Sequence, residues 1–300
     1  MKSEMAAAFQ PWALDITTTP DLAFDLADDL GMEGVMTALS VTIFDAPQTR
    51  GKTQMLVQAL FETEADAVAA QDRLELPRDT PSQITQLPAK DWVSETQAGL
   101  APVRAGRFFV YGSHDADKVP ADIVPLHVDA GMAFGTGHHG TTAGCLRMFS
   151  DLLDAQFPIG SVLDLGCGAG ILAMAAAKTL PDAQILATDI DPDAIAVTAQ
   201  NMIENAVQGR IQTAVANGFD SAVLKNRRFD LIFANILSGP LMGLADDISA
   251  AAAPGGHVIL SGILDEKADQ VAARFTQAGL HVTPQPSLEG WTSLLAEKRA

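Results

Sequence analysis

The chain has 300 residues and a mass of 31.5 kDa, with 48% hydrophobic and 19% charged residues. This length and composition exclude a peptide or a mainly disordered protein, and they favour two domains over one. The 19 Lys and Arg residues stand against 37 Asp and Glu, a formal net charge of −18, which disfavours direct contact with nucleic acid or an anionic membrane surface.

The negative charge is denser in the first part of the chain. Residues 1–120 carry 9 basic and 18 acidic residues, whereas the longer stretch 121–300 carries 10 and 19. This distribution is consistent with a site for a basic partner, although many acidic proteins are simply soluble. Two cysteines without C-x-x-C spacing, Cys145 and Cys167, and apolar runs well short of about 20 residues predict a cytoplasmic protein with no membrane segment.

Residues 12–87 alternate short strand-like and helix-like runs in the order β-α-β-β-α, with a further strand at the end. This order predicts a small ferredoxin-like α+β domain over residues 1–90, followed by a linker over 91–120 that contains one strand-like run, Arg107–Tyr111. The expected elements of the first domain are Trp12–Thr17, Leu22–Leu30, Ala38–Phe44, Met55–Phe61, Glu64–Leu74 and Gln83–Leu87.

From residue 160 onward, strands and helices alternate strictly. This pattern predicts an α/β domain over 121–300, with a mostly parallel sheet covered by helices on both faces. The last two runs, His281–Pro286 and Gly290–Leu295, predict an edge hairpin with one antiparallel strand. The other expected elements are Ser161–Leu165, Ile171–Leu180, Gln184–Asp189, Asp193–Asn205, Ile211–Ala216, Phe229–Ala234, Leu237–Ala252, His257–Ser261 and Asp265–Ala278.

The segment D-L-G-C-G-A-G at 164–170 follows a buried strand and opens a helix. Glycines allow a sharp turn and a close ligand, and a helix start offers N–H groups to an anion. Asp164 would oppose a pyrophosphate but attract an amino group, so Asp164, Gly166, Gly168 and Gly170 predict a site for S-adenosylmethionine (SAM). The alternative is a generic tight turn between strand and helix.

Two polar residues close later strands of the same predicted sheet. Asp189 ends the next strand and is expected to accept both ribose hydroxyl protons, whereas Asp191, before Pro192, is expected to cap the following helix. Asn235 ends the strand that begins at Phe229. It would face the same crevice, because ligands bind beyond the carboxyl ends of parallel strands, and it is the candidate catalytic residue. Its alternative role is to cap the helix that follows.

The chain resembles the PrmA family, methyltransferases of ribosomal large-subunit protein eleven. The likeness rests on G-M-A-F-G-T-G-H-H-G-T-T at 131–142, the glycine loop, D-I-D at 189–191 and N-I-L-S-G-P-L at 235–241. It implies a Rossmann-like SAM methyltransferase domain after a smaller domain that presents the ribosomal protein. It also implies that Thr142, Gly166, Asp189 and Asn235 stand at SAM-binding positions, and Asn217 is the residue expected to receive the adenine amine.

Some positions depart from the family pattern. His138 stands where the family usually has Thr, Gly140 where it usually has Pro, and the linker keeps Asp91 and Trp92 but few other aromatic or basic positions. The pair His138 and His139 lacks a third ligand at usable spacing, so no metal is expected.

The expected function is SAM-dependent methylation of amines, on lysine side chains or the α-amino group, of ribosomal large-subunit protein eleven. Asp25, Asp28, Asp29 and Glu33 lie near one helix of the first domain and form the expected docking surface for this basic protein. The alternatives are a methyltransferase of the same fold acting on another protein or a small-molecule amine, and a SAM-binding module without catalysis.

Overall fold

A computed structural model describes residues 10–31, 38–49, 52–74, 76–77, 80–87, 102–129, 140–288 and 290–299. The chain divides into two units, Met1–Trp92 and Val93–Ala300. No helix within these described ranges is both long enough and apolar enough to cross a bilayer.

The first unit is a four-stranded antiparallel sheet with two helices. Its sheet order is β2-β3-β1-β4, which together with the β-α-β-β-α-β chain order confirms the predicted ferredoxin-like fold. The elements are β1 (Trp12–Thr18), α1 (Pro20–Gly31), β2 (Ser40–Thr49), β3 (Lys52–Phe61), α2 (Glu64–Arg73) and β4 (Ser82–Gln86).

The alternation of side chains along the strands forms the core of this unit. Leu14 and Ile16 of β1 lie opposite Ala59 and Val57 of β3, and all four are fully buried. At the start of α2, the Thr63 hydroxyl accepts a hydrogen bond of 3.2 Å from the backbone N–H of Asp66 and so caps the helix.

The second unit begins with a small three-stranded sheet, where the sequence pattern indicated one strand. Its strands are β5 (Val103–Ala105), β6 (Phe108–Tyr111) and β7 (Val124–His127), in the order β5-β6-β7. Phe108 of β6 is fully buried and stacks on Phe149, with the ring centroids 5.6 Å apart. This aromatic contact packs the small sheet against the helix Gly140–Asp154, which we call α3.

The main body of the second unit is a seven-stranded sheet in the order β10-β9-β8-β11-β12-β14-β13. Strands β8 to β12 are parallel, and β14 is antiparallel to both of its neighbours. The elements are β8 (Ser161–Leu165), α4 (Ile171–Thr179), β9 (Gln184–Asp189), α5 (Pro192–Glu204), β10 (Ile211–Val215), β11 (Phe229–Asn235), α6 (Ser238–Gly243), α7 (Ala245–Ala251), β12 (Ala252–Leu264), α8 (Ala268–Gln277), β13 (His281–Pro284) and β14 (Trp291–Glu297).

The predicted terminal hairpin forms, and its position refines the prediction. The antiparallel strand β14 does not lie at the edge but inserts between β12 and β13, so β13 is the edge strand. The strand order reverses between β8 and β11, because the chain passes from β8 to one side of the sheet and later returns to the other. Such a switch point opens a crevice at the carboxyl ends of these two strands.

The prediction of one helix over Leu237–Ala252 was wrong. The structure has two short helices, α6 and α7, joined at Leu244, whose φ of −89° and ψ of 2° depart from helical values. Ala252 already belongs to β12, where it pairs with Phe229. Pairing with β11 therefore ends the helix at Ala251, and the helix-breaking residues Pro254, Gly255 and Gly256 lie within the strand.

Candidate functional site

The glycine loop at 166–170 makes a left-handed turn between β8 and α4. Gly166, Gly168 and Gly170 have φ values of +71°, +52° and +78°, which side chains with a Cβ rarely adopt. The space is also closed, since a Cβ at Gly166 would lie 2.4 Å from Cγ2 of Ile236. The loop thus brings bare backbone to the switch-point crevice, where α4 begins with the N–H groups of its first turn.

Asp164 lies beneath this loop and is only 1% exposed. Its Oδ2 accepts a hydrogen bond of 2.9 Å from the backbone N–H of Ala173, in the first turns of α4. Burial raises the pKa of the Asp164 carboxyl to about 7; the Ala173 N–H opposes the rise, and the nearby Asp189 charge adds to it. The carboxylate therefore ties α4 to β8 and is poised between its charged and neutral forms.

Asp189 lies at the carboxyl end of β9 and contacts the glycine loop directly. Its Oδ2 accepts a hydrogen bond of 2.8 Å from the Gly168 N–H, and its Oδ1 accepts one of 3.1 Å from the Asp191 N–H. Each carboxylate oxygen has two lone pairs, so acceptor capacity is left for hydroxyl donors. Asp191 caps α5 through a bond of 2.8 Å from the Asp193 N–H, as the sequence predicted.

Asn235 is half-buried at the carboxyl end of β11. Its Nδ2 donates to Oγ1 of Thr142 at 3.4 Å, a long bond that joins two residues 93 positions apart. The alternative role for Asn235 as a helix cap is not seen, because the residue preceding α6 is Leu237 and no side chain caps that helix. The amide is therefore held beside α3 rather than used to start the next helix.

A buried hydroxyl network that the sequence analysis missed holds the start of α3. Ser261 Oγ, at the end of the β12 segment paired with β11, donates to the carbonyl of Thr141 at 3.1 Å and lies 2.9 Å from Ser293 Oγ. The start of α3 also lies close to the backbone of Leu288. A Cβ at Gly140 would lie 2.4 Å from the Leu288 carbonyl oxygen, which explains the glycine at this position. These contacts hold the first turn of α3 in place and so fix the position of Thr142 beside Asn235.

A second feature missed by sequence reasoning fixes the residue after Asn235. A Cβ at Gly262 would lie 2.4 Å from the carbonyl oxygen of Ile236, and Gly262 has a φ of +79°. Ile236 is therefore enclosed by two glycines, Gly166 on its side-chain side and Gly262 on its backbone side. A glycine directly after Ser261, the last residue of the predicted strand, was the signal that could have revealed this position.

The backbone places Asn217 near the polar residues of the site, and the Asn217 side chain is exposed. The preceding residue, Ala216, donates its N–H to the Asp189 carbonyl at 2.7 Å, and the Asn217 carbonyl accepts from the Asp220 N–H at 3.0 Å. The structure thus brings Asn217 to the carboxyl end of β10, beside Asp189.

The strand ends around these polar groups carry exposed apolar side chains. Ile190 is 51% exposed, Val215 52% and Leu237 42%, and they follow or close β9, β10 and β11. At the carboxyl ends of these strands, such side chains are available to contact an apolar group of a ligand. The sequence pattern did not predict that these side chains are exposed, because the last residues of a strand continue the apolar pattern of its buried part.

Some expected positions lie outside the described residues. These are His138 and His139, the rest of the segment 131–139, Asp91 and Trp92 of the linker, and Glu33 of the acidic helix surface. Asp25, Asp28 and Asp29 fall within α1, where the Asp29 side chain is exposed. Within the ranges that the structure describes, no group of three or more His, Cys, Asp or Glu side chains could hold a metal ion.

Comparisons with known proteins identify the family of the chain. The sequence pattern of the family described as Ribosomal protein L11 methyltransferase (PrmA) matches residues 14–299. A protein of that name from Brucella abortus is 47% identical over 242 residues, which cover 79% of this chain and 83% of the relative. Another, from Rhizobium meliloti, is 47% identical over 215 residues, covering 71% and 73% of the two chains.

A solved structure shows the same architecture. The crystal structure of a ribosomal protein L11 methylase from Lactobacillus delbrueckii subsp. bulgaricus matches with a TM-score of 0.57 and 25% identity, covering 66% of this chain and 99% of that one. The pattern match over nearly the whole chain and the sequence identity lead to one assignment. The chain belongs to the PrmA family of SAM-dependent ribosomal protein methyltransferases.

Proposed function

We propose that this protein methylates amines of ribosomal large-subunit protein eleven, on lysine side chains or on the α-amino group, with SAM as methyl donor. The observation that carries the proposal is the convergence of the glycine loop, Asp189 and Asn235 at the carboxyl ends of β8, β9 and β11. The substrate is inferred from the names of the relatives, which are 47% identical to this chain.

The residues at the switch point fit the chemical groups of SAM. The acceptor capacity of Asp189 suits ribose hydroxyls, and the exposed faces of Ile190 and Val215 suit a flat, apolar base. Asn217, beside Asp189, is the proposed partner of the adenine amine. Gly166, Gly168 and Gly170 have no side chains to block the start of α4, whose first N–H groups suit a carboxylate, and Asp164 lies beneath them as a counter-charge for an ammonium group. Thr142, held beside Asn235, completes the proposed binding set.

When bound, SAM supplies a methyl group on a sulfonium; the amine nitrogen forms a bond to this carbon as the bond from carbon to sulfur breaks. The task of the protein is to deliver a neutral amine to that carbon. An unperturbed lysine amine has a pKa of about 10.4, so it arrives protonated. The apolar side chains of Leu237 and Ile236 disfavour a cation at the crevice and promote loss of this proton.

Asn235 is the proposed catalytic residue because its amide can accept from the incoming nitrogen without reacting itself. Its Nδ2 donates to Thr142, which turns Oδ1 of the same amide toward other donors. Among the described residues, the hydrogen-bond partner of this amide is a hydroxyl and not a carboxylate or an imidazole. Asn235 therefore contributes by orientation, and solvent takes the proton.

The acidic first unit is the proposed docking surface for the basic substrate. The helix α1 carries Asp25, Asp28 and Asp29, with Asp25 and Asp29 four residues apart and hence on one face. Attraction between these negative charges and the positive charges of a basic substrate would steer the association of the two proteins and fix their relative orientation.

One experiment tests the proposed function. Purified ribosomal proteins are incubated with labelled SAM and the chain, and the labelled products are identified by mass spectrometry. Label on amines of protein eleven is the expected result. Label found only on other proteins or on small amines would show that protein eleven is not the substrate. SAM binding without any label would show that the chain is a binding module without catalysis.

A further inference from the structure

The segment Lys225–Arg228 forms a concentrated positive surface on a strongly negative chain. Three of the 19 Lys and Arg residues fall in these four positions, although the formal net charge is −18. Lys225 and Arg228 are exposed and Arg227 is half-buried. None of the three makes an ion pair with a carboxylate of the residues that the structure describes.

This positive segment borders a cavity of about 420 Å³ between it and helix α7. Ligand pockets in proteins measure about 300–1,000 Å³, so the cavity has the size for a small organic molecule. Its lining combines apolar groups with three positive charges and one negative charge. The lining residues are Phe219, Leu224, Lys225, Asn226, Arg227, Arg228, Asp247, Ala250 and Ala251.

The local backbone holds the cations in place. Asn226 adopts a left-handed conformation with a φ of +60°, which Asn tolerates better than most residues with a side chain. The turn is closed by hydrogen bonds from the Lys225 N–H to the Ala222 carbonyl at 3.4 Å and from the Arg227 N–H to the Leu224 carbonyl at 3.2 Å. The charged groups therefore project from an ordered turn.

Two of the cations are also fixed by their side chains. The Arg227 guanidinium lies over the Phe229 ring, 5.2 Å from its centroid, and Nη1 of Arg228 donates to the Ala250 carbonyl at 2.7 Å. These contacts use one face or one nitrogen of each guanidinium and leave other N–H groups for a ligand, since Arg has five N–H donors. A fixed guanidinium suits the two-pronged binding of a phosphate.

The cavity lies away from the SAM crevice. It flanks the amino end of β11, whereas Asn235 lies at the carboxyl end, six residues further on and thus about 20 Å away. A ligand here would not occupy the crevice at the strand ends, so the inference does not depend on the proposed function.

We propose that this cavity binds a phosphate ester of nucleotide size. Lys225, Arg227 and Arg228 would contact the phosphate, and the half-buried Phe219 would cover the base or sugar. Asp247 opposes an anion but accepts hydrogen bonds, so it would receive an amino or hydroxyl group of the same ligand. Such a nucleotide is either free or part of an RNA strand.

The test measures binding of uridine monophosphate to the full chain by calorimetry, with S-adenosylhomocysteine present to fill the SAM crevice. The variant Lys225→Gln/Arg227→Gln is compared with Arg104→Gln/Arg147→Gln, which removes two exposed Arg charges elsewhere. We expect at least a tenfold loss of affinity in the first variant, less than a twofold change in the second, and competition by inorganic phosphate. Thermal unfolding verifies that both variants fold. If the variant Lys225→Gln/Arg227→Gln does not fold, the single variant Lys225→Gln replaces it in the comparison.

A second arm identifies the source of the phosphate. Tetrauridylate that binds at least tenfold more tightly than uridine monophosphate indicates an RNA strand, and equal affinity indicates a free nucleotide. No binding of either probe to the unmodified chain, or an equal loss of affinity in both double variants, would overturn the proposal.

Discussion

The carboxylate of Asp189 accepts a hydrogen bond of 2.8 Å from the backbone N–H of Gly168. This bond joins the end of β9 to the glycine loop that follows β8, so two neighbouring strand ends form one rigid edge. The residue that is proposed to bind the ribose therefore also shapes the loop that is proposed to bind the rest of the cofactor.

Removal of the Asp189 carboxylate should weaken SAM binding strongly. Asp189→Ala deletes an acceptor for ribose hydroxyls and for the Gly168 N–H, and hydrogen bonds to a charged group contribute about 1.5–3 kcal/mol each, so affinity should fall about 10- to 100-fold or more. Calorimetric titration with S-adenosylhomocysteine measures this effect. The matched control is Asp191→Ala, which removes a helix cap at a cost of about 1 kcal/mol in stability and should leave the affinity nearly unchanged.

Asn235→Ala should separate binding from turnover. We expect the affinity for S-adenosylhomocysteine to change by a modest factor, whereas kcat for protein methylation falls about 100-fold because the amine loses its orientation. Thr142→Ser keeps the Oγ1 partner of the Asn235 amide and is expected to retain most of the activity. Unchanged turnover in Asn235→Ala would remove this residue from the chemistry.

Gly166→Ala should destabilise the fold more than the same change at an open glycine. Both Gly166 and Gly209 have positive φ, of +71° and +79°, so alanine costs about 1–2 kcal/mol at either site. At Gly166 the new Cβ would also lie 2.4 Å from Ile236, whereas at Gly209 it meets nothing within 4 Å. Overpacking should add about 1–3 kcal/mol, measured by urea unfolding. Equal losses at the two sites would contradict the close contact with Ile236.

Asp164 should make stability depend on pH. Its pKa of about 7 in the folded chain lies above the value of about 3.9 for an unperturbed Asp, so the folded state holds the proton more tightly than the unfolded state does. Its stabilising contribution is complete below about pH 4 and is lost as the pH rises through 7. Asp164→Asn resembles the neutral acid, keeps the acceptor for the Ala173 N–H and cannot lose a proton.

The free energy of unfolding of the natural chain, relative to that of Asp164→Asn, should therefore fall between pH 4 and pH 7, by at most about 1.4 kcal/mol for each pH unit. Denaturant titrations at several pH values measure the difference, in which the titration of all other groups cancels. A difference that stays constant over this window would show that the Asp164 carboxyl titrates as an exposed acid.

Docking of the ribosomal protein should weaken as salt is added. The variant Asp25→Asn/Asp29→Asn removes two negative charges from α1 and should reduce both the affinity and its dependence on salt. The control Asp151→Asn/Asp182→Asn removes two exposed charges from the second unit. Binding that is constant from low to high ionic strength would argue against an electrostatic docking surface.

The sequence was sufficient for the local features of the fold. Strand and helix positions follow from the spacing of apolar residues, and most predicted elements lie within a few residues of the observed ones. Strands β5 and β7 and helix α3 were not among the predicted elements. The predicted helix 237–252 shows the limit of such reasoning: Ala252 favours a helix by composition but pairs with Phe229 in the sheet. Contact with a neighbouring strand outweighed local preference there.

The sequence by itself determined where the strands end and which side chains stand at those ends, namely Asp189, Asn235 and the glycines of the loop. Such residues are recognisable because parallel strands place their carboxyl ends at one edge, whatever the details of packing. Only the tertiary structure decided that Ser261 holds Thr141, that Gly166 and Gly262 enclose Ile236, and that β14 inserts beside β12. These contacts join residues far apart in the chain, and their distances arise only when the whole sheet is packed.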